Sequence, residues 1–225
     1  MKRKWIIACV LAAFLTVQLF MLSACNTTYY KTRSFDSLTE LQAEIGPSLL
    51  FPSDLPENFT PDSSTFTSFI YLDSETWEYK ISYSNSAYDD DEARFEIPLS
   101  QLAIERITIR CYEPQHQVPI NAHPYDKYDS SMNHIESFEK MFARKPPDLL
   151  FDLEGAEVIY FPNPSSYDNE AGYRFMTSET LFMNDNILYC IDIRCYANEA
   201  MDYEEFLEYC SDLAKFMVRN LLSQE

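Results

Sequence analysis

Glycine is nearly missing from this chain, at three in 225 residues. No stretch can therefore supply the glycine-rich loop that lets a backbone close around a phosphate, which argues against the glycine-loop nucleotide folds. Histidine is as scarce: His116, His123 and His134 are all there are. Two of them share one loop with Asp126 and Asp129, but neither loop spacing nor a helical i, i+4 arrangement gathers them as metal ligands. No C-x-x-C pair occurs, so the cysteines do not read as a zinc site either. A G-x-S-x-G elbow is absent, and no cysteine stands in a recognisable pairing with a histidine, so nucleophilic catalysis has no signature. No metal and no cofactor are expected. Cations are also short, with 17 Lys and Arg against 36 Asp and Glu.

What is present begins at the N-terminus. Lys2, Arg3 and Lys4 precede an apolar run from Trp5 to Leu22, which ends in Leu22-Ser23-Ala24-Cys25. A basic segment, an apolar core and small residues before a cleavage point are the parts of a secretory signal peptide. The tetrad resembles the lipobox of bacterial lipoproteins, in which the cysteine thiol receives a diacylglyceryl group and the bond before it is cut. The resemblance implies that residues 1–24 are removed and that a lipidated, palmitate-type Cys25 opens the mature chain. Its acyl chains would hold the protein to the outer face of the bacterial cell membrane, at ~0.8 kcal/mol per buried CH₂. An uncleaved transmembrane helix is the alternative, since a span needs about 20 apolar residues. Thr16 and Gln18 within the run, and the tetrad at its end, favour the signal peptide.

The leader carries three of the 17 cations and no acid, leaving 14 against 36 and a formal charge of −22. Nucleic acid and anionic lipid would repel such a domain, and nucleic-acid binding is excluded. Hydrophobic residues make up 46% and aromatics 15%, too much for a disordered acidic tail and enough for a packed core rich in strands. Four cysteines remain in the body: Cys111, Cys190, Cys195 and Cys210. An exported domain permits disulfides. The two readings are buried free thiols and one disulfide, with Cys111 and Cys195 the favoured pair.

Residues 25–33 read as a tether and 34–225 as a single α+β extracytoplasmic domain. Ser37-Leu38-Thr39-Glu40 is a capping box before a short helix stopped by Gly46-Pro47. The segment 47–64 must run as turns, pinned by Phe51, Leu55 and Phe59. Strands are expected over 66–72, over 77–83, where Trp77, Tyr79, Ile81 and Tyr83 alternate with polar residues, and over 102–112. The acidic Asp89 to Glu92 run reads as a solvated loop. A helix opens near Ser131 with Met132, Ile135, Phe138, Met141 and Phe142 as its buried stripe and ends at Pro146-Pro147. Strands follow at about 156–162, 172–183 and 187–196, the last two joined by a tight turn at Asn184-Asp185-Asn186. The closing helix, about Tyr203 to Leu222, lines up Phe206, Cys210, Leu213, Met217 and Leu221 on one face.

Leu55-Pro56 with Phe59 leading into strands, the Gly155-Ala156-Glu157-Val158 strand start, and the Asn186 to Arg194 strand with its following helix resemble uncharacterised extracytoplasmic domains of Gram-positive bacteria. Some of those are lipoproteins and others sit on anti-sigma-factor-like proteins. The resemblance implies a location outside the membrane and supplies no catalytic residue. The zinc-binding and cytoplasmic segments of the anti-sigma type are absent here.

Ile107-Thr108-Ile109-Arg110-Cys111-Tyr112 matches Ile191-Asp192-Ile193-Arg194-Cys195-Tyr196 at five of six positions. One reading is an internal strand-strand-strand-helix duplication, in halves of about 59–146 and 147–225, with Arg110 and Arg194 together on one side of a sheet. The other is that I-x-I-R is simply how a half-buried strand looks. Both give an α+β fold with an antiparallel sheet and helices packed on one face.

Function is expected to be that of a non-enzymatic lipoprotein of the cell envelope, a binding module for an envelope protein or cell-wall component, joined to the membrane by its lipid. The alternative is an envelope hydrolase with a carboxylate or histidine site that the sequence does not announce. Trp77, Tyr79 and Tyr83 are the candidate ligand face, because aromatic rings give large contact area at low entropic cost; a core stripe is their other reading.

Overall fold

Alternation decides the central strands. In 107–112 and 187–197 the odd-numbered residues are buried apolar ones, and successive side chains of a strand point to opposite faces, so those residues share one face. The computed structural model describes residues 30–45, 49–52, 54–56, 63–71, 76–85, 102–112, 134–144, 149–163 and 173–223. Cys25, Phe59, the Asp89 to Glu92 run, His116, His123, Asp126 and Asp129 lie outside them, as does the side chain of His134.

The described residues form eight strands and three helices: β1 Tyr30–Phe35, α1 Leu38–Ile45, β2 Ser63–Tyr71, β3 Thr76–Ser84, β4 Leu102–Tyr112, α2 His134–Phe142, β5 Leu150–Leu153, β6 Ala156–Asn163, β7 Tyr173–Asn184, β8 Ile187–Asn198 and α3 Tyr203–Leu222. The strands make one sheet in the order β1-β2-β3-β4-β8-β7-β6-β5, every neighbouring pair antiparallel. An α+β fold on an antiparallel sheet is what the element pattern leads to. Two four-stranded meanders meet at β4 and β8. Tight turns fix two of the hairpins. Asp185 and Asn186 both take positive φ, 48° and 63°, as do Glu154 and Gly155, at 55° and 86°, the left-handed pair that a two-residue turn between twisted strands requires.

On one face Ile81, Ile107, Ile109, Tyr189, Ile191 and Ile193 form the main core with Leu41 of α1 and Met217, Val218 and Leu221 of α3. Phe182 and Tyr189, opposite each other in register, stack at 4.9 Å. The Tyr189 hydroxyl accepts from the Leu50 backbone N–H at 3.0 Å, which ties the turn segment, with buried Leu49, Leu50 and Phe51, onto the sheet. The Ser37 half of the capping box forms, Ser37 Oγ accepting from Glu40 N at 3.2 Å, while Glu40 Oε2 reaches one residue beyond the cap and accepts from Asp36 N at 3.1 Å. Asp202 caps α3 by accepting from the Glu204 and Glu205 N–H groups.

Three expectations change. Of the residues expected as a tether, Tyr30 to Arg33 instead pair with β2 as an edge strand. β5 is an added strand; four residues after a Pro-Pro stop are too few to show a period. Helices cover both faces rather than one. α1 and α3 lie on the face just described, whereas Phe138 and Met141 of α2 pack on Tyr112, Ile159, Phe161, Leu181 and Leu188, which alternate out of phase with the main core. At that end the sheet is apolar on both sides, and the second side needs its own cover.

Candidate functional site

Beyond the edge of α2, the same face turns polar. The register sets out three neighbouring rows across the sheet: Ser82, Thr108, Asp192 and Glu179; then Lys80, Arg110, Cys190 and Leu181; then Arg106, Arg194 and Thr177. The side chains of each row stand about 5 Å apart. Arg110 forms an ion pair with Asp192 at 2.8 Å, both groups being about a third exposed. Cys190, fully buried, donates its thiol to Glu179 Oε1 at 3.2 Å. Ser82 and Thr108 share a hydrogen bond at 3.2 Å.

Arg194 binds buried Glu105 at 3.0 Å and lies over the Phe175 ring at 4.7 Å. Glu105 reaches this face because the register slips between Ile104 and Arg106; a bulge adds one residue and re-aims its side chain.

Burial is the main influence on the acids. It pushes the Glu179 carboxyl up to about 6, helped by the neighbouring Asp192 charge, with Cys190 and Arg110 pulling back. Asp192 is raised by the same desolvation against the opposing pull of Arg110 and Lys80. The Cys190 thiol is pushed well above its ordinary value by burial and by Asp192 and Glu179. Burial therefore holds the Cys190 thiol protonated and raises Glu179 to about 6 at the centre of the face. Glu179, Cys190 and Asp192 also bring one potential ligand atom each within 4.8 Å of one another. The set mixes one soft and two hard donors. It already has a cation in Arg110 and a proton in the thiol, so metal binding would have to displace both interactions.

The residues expected from sequence fall elsewhere. Tyr79 and Tyr83 are buried in the main core, with the Tyr83 hydroxyl raised to about 12 by burial; they are core, not a ligand face. Trp77 pairs with Ile70 in register, and its side chain lies outside the description. Cys111 and Cys195 share a face but not a position: Cys111 stands opposite Tyr189, six residues along β8 from Cys195, which puts them about 20 Å apart. They do not pair. Cys195 lies instead against Cys210 of α3, sulfur to sulfur at 3.3 Å. Arg110 and Arg194 do share a face, flanking the Asp192 row.

Sequence reasoning missed Glu179, Cys190 and Asp192 as a group. The signal within reach was Cys190-x-Asp192-x-Arg194, three polar positions on one side of an otherwise apolar strand.

The fold and site define an α+β domain with a charged patch at the centre of one sheet face. No protein family, no curated protein and no solved structure matches the chain.

Proposed function

We propose that this protein is a lipoprotein of the cell envelope, anchored through Cys25 and holding its acidic sheet domain at the outer face of the membrane as a non-enzymatic binding module for an envelope protein or cell-wall component. The Leu22-Ser23-Ala24-Cys25 tetrad after a basic and apolar leader carries the reading. The early start of the sheet supports it: four residues separate Cys25 from Tyr30, so the five steps from one to the other reach at most roughly 17 Å when extended. The domain then stands close to the headgroups, kept from lying on them by its own negative charge. Among the described residues, Lys80, Arg106, Arg110 and Arg194 gather on one sheet face beside Glu105, Glu179 and Asp192, and this is the surface offered to a partner of mixed charge.

Intact mass of the protein extracted from membranes tests the anchor. A mass beginning at Cys25 plus a diacylglyceryl group supports the proposal. A chain still carrying residues 1–24 and no lipid overturns it and leaves a single-span membrane protein.

A further inference from the structure

The four body cysteines are sorted by the sheet. Cys111 and Cys190 sit on adjacent strands one register step apart, but with opposite parity, so Cys111 belongs to the main core and Cys190 to the opposite face. The same parity separates Cys190 from Cys195 on β8. Cys111 and Cys195 are a strand's length apart. Cys210 packs against Cys195, across the sheet from Cys190 and about a strand's length from Cys111, so the pair within reach is Cys195 and Cys210, both fully buried, in contact at 3.3 Å between β8 and α3 among Met176, Ala197, Met201 and Phe206.

We propose that Cys195 and Cys210 form a structural disulfide that fastens α3 to the sheet in the exported protein. The inference rests on the proposed location outside the membrane in one respect, the oxidising compartment. Closing 3.3 Å to a bond of about 2 Å needs a shift on the scale of a side-chain torsion. The two thiols give up two protons and two electrons as the S–S bond forms, and the disulfide of an extracytoplasmic thiol oxidant takes them up as its own S–S bond breaks to give two thiols. The hydrogen bond with Cys195, and then burial, hold the Cys210 thiol well above its ordinary value. Attack requires a thiolate, so the bond is made while the chain folds and both thiols still meet solvent.

Two preparations of the full chain separate geometry from compartment. In the first, reduced and unfolded protein is refolded in detergent with oxidised glutathione, alkylated under denaturing conditions and digested with trypsin. Cleavage after Arg194 and Lys215 leaves Cys195 and Cys210 on one peptide, with Cys111 and Cys190 each on another. The expected result is an unalkylated 195–215 peptide lighter by two hydrogens, alkylated only after reduction, together with fully alkylated Cys111 and Cys190. A bridge to Cys111 or Cys190, or alkylation of all four body cysteines, overturns the pairing. In the second, the protein is alkylated as it is extracted from membranes. The same bridge is expected there. Four free thiols in extracted protein whose refolded form is bridged overturn the disulfide as a native bond and count against the exported location, leaving the geometry standing.

Discussion

Thr108 stands directly opposite Asp192 where β4 and β8 pair, at the middle of the eight strands. A half-turn about this pair exchanges β4 with β8 and carries Ile107 onto Ile191 and Ile109 onto Ile193, so the facing pairs Ile107 with Ile193 and Ile109 with Ile191 change places. The five-of-six sequence match thus coincides with a local twofold of the sheet. The symmetry breaks at the pair itself, a hydroxyl on one strand and a carboxylate on the other.

That asymmetry makes Thr108→Asp informative. The substitution sets two carboxylates directly opposite each other, on a buried position and beside Glu179. It is expected to cost about 1–3 kcal/mol at neutral pH. The urea midpoint should fall at pH 7 and recover as pH drops and the new carboxylate is protonated. An unchanged midpoint would show that Arg110 and Lys80 neutralise both charges.

Glu179→Gln isolates the raised carboxyl. Glu179 ionises near 4.5 in the unfolded chain and about 6 in the folded one, so the native state binds the extra proton between these values. Its contribution to stability is whole below about pH 4.5 and is lost as pH rises through 6, by about 2 kcal/mol in all. Glutamine pays no ionisation cost. The variant should match the wild type at pH 4 and exceed it at pH 8, read as the difference of two denaturant curves at each pH. A constant difference across that range would rule out Glu179 as the titrating group.

Tyr189→Phe removes the acceptor of the Leu50 N–H and keeps the ring that stacks on Phe182. A buried amide left without its partner costs about 1–3 kcal/mol. Hydrogen exchange at Leu50 should quicken well beyond the change seen in β8, because the bond anchors the turn segment rather than the sheet.

A chain beginning at Asp36 lacks β1 and leaves the outer edge of β2 unpaired. An exposed strand edge is a template for association. Size-exclusion chromatography should show self-association for this shortened chain, and a chain beginning at Tyr30 should behave as the parent does. Equal behaviour of the two would return residues 30–33 to the tether.

Much of the fold was legible because it is written in periods of two and 3.6. Leu102–Tyr112 was found to the residue, α3 nearly so, and the Asp185-Asn186 turn by its residue types. The site was not legible. Cys190 and Asp192 show on β8, but Glu179 joins them only through the register of β7, and Glu105 joins Arg194 only through a bulge that no local pattern announces. Tyr79 and Tyr83 looked the same as a stripe whether it faced solvent or core; the cover supplied by α1 and α3 settled it.

The sequence by itself determined the acidic charge of the chain, the antiparallel α+β class and most element bounds, since each depends on composition or on neighbours a few residues away. Only the tertiary structure decided that α2 crosses to the second face, that Arg110 meets Asp192, and that Cys195 meets Cys210 rather than Cys111. Those outcomes depend on which strands lie side by side and at what offset. A shift of one residue reverses the face of every side chain in a strand, and that offset is fixed by packing of the whole sheet rather than by any segment within it.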